Sequence, residues 1–256
     1  MSFDEILYKI KKTAEKSSSR DIIKSNLISM IKKKFRYKKN SDKLFVMLPG
    51  WGSTLKYNVV LKKVISKKNY SFLEYEFPKE ILSSNWEKTL KCFNIICDEV
   101  IKEIKELKKE HKFNTVYIVG ISFGSFHACR IANNNKDITE MCLITPGHCL
   151  AETIWKGILT QKIKQGYEAK KITLKQLKKY WRGLAPENNI DNLKVKHITI
   201  IISKADQVVP FYCGNKLLNN LKKHKYNISY DINKSLGHLL TGVKFYSNPE
   251  KILFKK

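Results

Sequence analysis

Four short, nearly continuous apolar runs punctuate the chain, at residues 44–48, 115–119, 141–145 and 198–202. Such a run, with no polar face of its own, is what a strand buried on both sides requires. Two further strand candidates alternate instead. Leu73, Tyr75 and Phe77 are separated by Glu74 and Glu76, and Ile228, Tyr230 and Ile232 by Ser229 and Asp231. Alternation leaves one face less buried, so these two are expected at or near the edges of the sheet. Between the strands the period lengthens. Trp86, Leu90, Phe93, Cys97, Val100, Ile104 and Leu107 lie four and three apart and make one face of a long amphipathic helix. Strands alternating with helices predict an α/β fold, with a mostly parallel central sheet of about six strands flanked by helices.

The first 42 residues follow a different pattern. Phe3, Ile6, Leu7 and Ile10 share one helix face, a serine run at 17–19 interrupts it, and Ile23, Leu27 and Met30 begin a second. The chain therefore divides into an N-terminal helical extension over 1–42 and a main domain over 43–256. Within the main domain, about 148–195 reads as a helical insertion between two buried strands. Leu150, Ile154, Ile158 and Leu159 outline one helix there, and Thr173 with Gln176 forms a capping box that opens another. Trp155, Tyr167, Tyr180 and Trp181 give this insertion an aromatic character.

Composition narrows the class. With 256 residues, 43% hydrophobic and 28% charged, the chain can bury a sizeable core and is not globally disordered. The formal charge of +26 invites a nucleic-acid reading, but only 4 of the 49 basic residues are Arg (Arg20, Arg36, Arg130 and Arg182). Readers of base edges and phosphates rely on the bidentate Arg fork, so no specific nucleic-acid partner is expected; the charge draws anions non-specifically at low salt. The longest stretch free of formal charge, 113–129, carries Asn114, Gly120, Ser122, Gly124, Ser125 and His127 and reads as strand, turn and helix. No membrane span is expected, and with Asp4 and Glu5 beside Met1 a cytoplasmic location is. Six cysteines without a CxxC pair read as reduced core thiols, and the six histidines show no metal-ligand spacing, so neither metal nor cofactor is expected.

The informative motif is the G-x-S-x-G formed by Gly120, Ser122 and Gly124, placed between a buried strand and a helix. A sharp strand-to-helix turn lifts the Ser hydroxyl above the sheet, and small flanking residues let neighbouring backbone approach. With this motif in that setting, the chain resembles the α/β-hydrolase superfamily over about residues 43–256. Three more signals follow in that family's order. Pro49, Gly50, Trp51 and Gly52 after the first buried strand look like its oxyanion loop, with Pro49 where a His is usual. Asp206, ahead of Val209 and Pro210, is similar to its acid loop, and Gly237-His238 to its histidine loop.

The resemblance implies a serine hydrolase with Ser122 as nucleophile, His238 as general base and Asp206 as its partner, and with the backbone N–H groups of Trp51 and Phe123 as the oxyanion hole. It implies hydrolysis of a carboxylic ester through an acyl-enzyme, on a small-molecule ester or acyl substrate, with an acidic acyl carrier as a further partner suggested by the basic surface. The insertion would act as a cap, and His148, Trp155 and Trp181 are candidates for the substrate pocket. A thioesterase or serine peptidase on the same fold is the alternative within the class. A non-catalytic binding protein of that fold and a charge-driven binder of nucleic acid or anionic membrane are alternatives outside it. The family usually has two strands ahead of the oxyanion strand; residues 1–42 read as helical, so the sheet is expected to be reduced on that side.

Overall fold

In the computed structural model the described residues are Lys24 and 26–253; the face built from Phe3, Ile6, Leu7 and Ile10, and Ile23, lie outside them. Seven strands form one sheet, β1 (Lys32–Arg36), β2 (Lys43–Leu48), β3 (Ser71–Glu76), β4 (Thr115–Ile121), β5 (Glu140–Ile144), β6 (His197–Ser203) and β7 (Ile228–Asn233). Their order is β1-β3-β2-β4-β5-β6-β7, with β1 antiparallel and every other neighbour parallel. The helices that connect and follow them are α1 (Val59–Lys67), α2 (Trp86–His111), α3 (Phe123–Asn134), α4 (Leu150–Lys156), α5 (Gln161–Ala169), α6 (Leu174–Tyr180), α7 (Phe211–Lys223), α8 (His238–Ser247) and α9 (Pro249–Leu253).

The continuous apolar runs are explained by what covers them. Alternate residues of β2 and β4 enter opposite cores. Leu44, Val46, Leu48, Val116 and Ile118 face α2, α3, α7 and the insertion, whereas Phe45, Met47, Tyr117 and Val119 face α1, α8 and α9. On the second face the rings of Phe45, Phe72 and Tyr117 stack at 5.5 and 5.4 Å. The face of α2 read from its spacing is the buried one, from Phe93 to Leu107, and its N-cap Asn85 accepts from the Lys88 N–H at 3.0 Å.

Two expectations are corrected. Residues 26–30 are helical, but the helical reading of 1–42 fails at 32–36, where β1 adds a seventh strand. The segment Lys-Lys-Lys-Phe-Arg has neither period; pairing with β3 makes it a strand, with Lys32 opposite Glu76 and Lys34 opposite Glu74. A Lys-rich outer strand also protects an edge that would otherwise template aggregation. In consequence β3 lies one strand in from the edge and is buried along most of its length. Its Glu74, expected on a wetter face, is 1% exposed and pairs with Lys62 of α1 at 2.6 Å. The other alternating strand, β7, is the opposite edge, as its pattern predicts.

Candidate active site

The order of the sheet puts four loops at one end. In a parallel sheet all loops that follow a strand's C-terminus share a side, and ligands gather where successive connections leave in opposite directions. Here that point is between β2 and β4: the chain goes from β2 outward to β3 and returns to β4 on the other side. The loop after β2 carries Gly50 and Trp51, and the turn after β4 is Ser122. Asp206 follows β6, and His238 follows β7 as the first residue of α8.

Ser122 occupies a backbone conformation that L-residues rarely adopt, with φ 52° and ψ −116°. Its N–H is donated to the Ile144 carbonyl at 2.8 Å, and the N–H and hydroxyl of Ser125 both donate to its carbonyl. Strain of this kind, of order 1–3 kcal/mol, persists only where the surroundings over-determine it. The two motif glycines are those surroundings. A Cβ on Gly120 would lie 2.5 Å from the Gly124 carbonyl oxygen, and one on Gly124 would lie 2.4 Å from that of Leu48. No side chain fits either gap, so β4, α3 and the end of β2 meet backbone to backbone.

The three predicted catalytic side chains are brought together. His238 Nε2 lies 2.9 Å from Ser122 Oγ, and His238 Nδ1 lies 2.7 Å from Asp206 Oδ2. With the Nδ1 proton donated to the carboxylate, Nε2 is free to accept the serine hydroxyl. The other carboxylate oxygen of Asp206 accepts from the N–H groups of Val208 and Val209, both at 2.9 Å. Asp206 is therefore aimed by its own turn, the job of the Val-Val-Pro that follows it. Ser203, at the end of β6, donates to the Leu236 carbonyl and ties the acid strand to the loop before His238. The side chains of His238 and Asp206 are 9% and 2% exposed, so the pair works largely out of water.

Above Ser122 opens a cavity of about 580 Å³. Trp51, Ser122, Phe123 and His238 line its floor, and Leu82, Ile121, Phe126, Val208 and Val209 its walls. The insertion contributes Leu150, Thr153 and Ile154, which occupy one face of α4, and Leu159. Tyr246 and Val243 of α8 complete it.

The three pocket candidates drawn from the sequence are corrected here. Trp181 is 1% exposed and donates its indole N–H to the Trp86 carbonyl at 3.0 Å, fastening the insertion to α2. Trp155 is one position past Ile154, about 100° around α4 from the cavity face, and carries Lys164 over its ring at 5.8 Å. His148 is fully buried away from the cavity. Its Nδ1 meets the Cys213 carbonyl at 3.2 Å, and its Nε2 is bracketed by Glu152 at 2.6 Å and Glu187 at 3.8 Å. Burial, together with the nearby Lys216, holds its imidazole below the usual range. Among the described residues the insertion gives the cavity Leu150, Thr153, Ile154, Leu159 and Thr160 in place of the aromatic and imidazole groups the sequence suggested, and the rings that do line it, Trp51, Phe123, Phe126 and Tyr246, come from the rest of the domain. The spacing of Leu150, Thr153 and Ile154 was the available signal, since a short helix can give one face to the body and a neighbouring face to the cavity.

His127 is stacked on Phe93 with ring centroids 4.0 Å apart, and burial pushes its pKa down to about 3. The six cysteines are free and buried, and burial raises the thiol of Cys213 to about 11, far from a nucleophile's range. No helix among the described residues is long and apolar enough to cross a membrane.

No protein-family model and no curated protein matches the sequence. Solved structures do match the fold. The chain is similar to the acylaminoacyl peptidase of Pyrococcus horikoshii, with a TM-score of 0.66 at 13% identity over 86% of this chain. It spans only 37% of that peptidase's length. It is also similar to two other solved structures over nearly their full length. An esterase of Pyrococcus furiosus gives a TM-score of 0.58 at 16% identity, covering 87% of this chain and 90% of the esterase. Est1E from Butyrivibrio proteoclasticus gives 0.57 at 14% identity, covering 87% and 95%.

Proposed function

We propose that this chain, which has the α/β-hydrolase fold, is a serine hydrolase that cleaves a carboxylic ester with an apolar acyl group. The observation that carries the reading is the hydrogen-bonded series Ser122–His238–Asp206 at the floor of a mostly apolar cavity. A serine hydroxyl is a weak nucleophile at neutral pH. His238 takes its proton as Oγ attacks the ester carbonyl, and Asp206 holds the tautomer and stabilises the imidazolium that forms. The tetrahedral intermediate collapses when His238 returns the proton to the leaving alcohol. A water then enters, loses a proton to the same imidazole and releases the acid.

The developing oxyanion is assigned to the N–H groups of Trp51 and Phe123. Both residues line the cavity floor beside Ser122. Phe123 is the first residue of α3, where an N–H has no acceptor within the helix and the helix dipole favours negative charge. Each donor of this type lowers the barrier by about 3 kcal/mol. A backbone donor is indifferent to the side chain at position 49, so Pro49 is compatible with this arrangement. The mostly apolar walls favour an ester or thioester of an apolar acid.

Hydrolysis of p-nitrophenyl esters of increasing acyl length tests the reading. Wild-type protein is expected to turn over medium-chain esters, and Ser122→Ala to lower kcat by roughly 10⁴-fold or more. Folded wild-type protein that hydrolyses no ester in the series defeats it.

A further inference from the structure

The large apolar residues left in water are not scattered evenly. Ile158 and Leu159, in the short 3-10 turn that follows α4, are 54% and 56% exposed. Leu239, Leu240 and Val243, on the first turns of α8, are 72%, 56% and 58% exposed. Leu159, Leu239 and Val243 line the active-site cavity itself, and Ile158 and Leu240 are their chain neighbours. The two groups stand on either side of the acid loop, because the Ile158 N–H donates to the Gln207 carbonyl at 3.2 Å and His238, next to Leu239, holds Asp206. The mouth of the site thus has an aliphatic rim, and exposed apolar residues gathered around an opening mark an interaction surface.

The segments that build this end of the molecule, 49–58, 78–82, 156–162, 204–208 and 234–243, are also one-sided in charge. They carry exposed Lys56, Lys79, Lys156, Lys162, Lys204 and Lys234 against Glu80 and the buried catalytic Asp206. We infer that the mouth docks on an anionic lipid bilayer, with the rim seated among the acyl chains and the lysines on the headgroups. The acyl chain of a membrane ester then passes from bilayer to cavity without crossing water. A second copy of this chain is a poor occupant, since it would set lysine against lysine. An acidic protein satisfies the charges but not five exposed aliphatic side chains. The inference rests on the hydrolase reading for what enters the mouth, but not for whether the mouth binds.

Co-sedimentation separates the two questions. Full-length Ser122→Ala protein is mixed at physiological salt with phosphatidylcholine vesicles or with vesicles containing 30% phosphatidylglycerol. Stronger binding to the anionic vesicles is expected, and Ile158→Ser with Leu240→Ser should weaken it by about tenfold or more. Neither position lines the cavity, so with Ser122 restored the double variant keeps wild-type turnover of a short soluble ester, which also reports its folding. The inference is overturned if the protein stays in the supernatant with anionic vesicles. It is equally overturned if the double variant sediments like the parent, since charge alone then binds. Stronger binding to an acidic carrier protein than to lipid would overturn it as well.

Discussion

The elbow between β4 and α3 and the cap from α4 to α6 are both built over the same cavity, yet they obey different constraints. At the elbow the contacts are backbone against backbone. Positions 120 and 124 have no room for one extra carbon, and Ser122 is held at positive φ by that crowding. In the cap the contacts are side chain against side chain. Trp181 could point to the cavity or the body by a turn of the helix, and it points to the body. Where backbone meets backbone the residue type at a position is dictated, whereas a packed side-chain layer accepts many solutions of similar volume. The proposed function puts the chemistry in the first kind of region and the substrate preference in the second.

The sharpest test of that contrast is a single methyl group. Gly124→Ala places a Cβ 2.4 Å from the Leu48 carbonyl oxygen and 2.6 Å from that of Pro49. We expect a loss of about 3 kcal/mol or more in urea unfolding, with ester hydrolysis lost as the elbow opens. Full stability with full activity would mean that the elbow is as accommodating as the cap.

His127, one turn into α3, extends the comparison to pH. Its folded pKa of about 3 lies below the ordinary histidine value of 6.5, so between these pH values the unfolded chain binds the proton and the folded chain does not. Stability from this group is complete above pH 6.5 and is lost as pH falls towards 3, by about 3 kcal/mol at pH 4. His127→Phe, which keeps the stack on Phe93, should remove that part of the acid sensitivity. Identical slopes for the two proteins between pH 7 and pH 4 would show that the imidazole is not held neutral.

Two paired changes probe the cap. Trp181→Phe loses the hydrogen bond to the Trp86 carbonyl and should cost about 1–2 kcal/mol while leaving the preferred acyl length where it was. Ile154→Phe fills part of the cavity and should shorten the preferred acyl chain in the same ester series. The reverse pattern would restore the tryptophan to the pocket. The smallest effect is expected at Thr173, whose side chain and that of Gln176 cap α6 reciprocally. Thr173→Ala should lower the unfolding free energy by about 1 kcal/mol with unchanged kinetics, as a thermal melt beside an esterase assay would show.

The three side chains of the proposed triad were legible in the sequence because each lies in a loop with its own local syntax. Gly120 and Gly124 bracket Ser122, Val209 and Pro210 follow Asp206, and Gly237 precedes His238. The elbow glycines act by leaving no room, the Val209 N–H holds Asp206, and the carbonyls of Pro210 and Gly237 accept from the N–H groups of Cys213 and Thr241; no contact demands glycine at 237, where an added Cβ would meet only the Ala205 carbonyl at 3.9 Å. The buried strands were legible because a sheet covered on both faces leaves no polar position along them. The strand at 32–36 was not, since nothing in Lys-Lys-Lys-Phe-Arg prefers an extended chain until β3 offers a partner.

By itself, then, the sequence determined which residues could do nucleophilic chemistry and which segments had to be buried, because both are written in spacing over a few residues. Only the tertiary structure decided that Ser122 and His238, 116 positions apart, meet at 2.9 Å, and which face of α4 looks into the cavity. It alone decided that Glu74 is a buried ion and that the exposed leucines gather at the mouth. Those outcomes depend on strand order and on the rotation of one element against another. Both are set by the sum of many weak packing contacts, none of which leaves a mark at any single position.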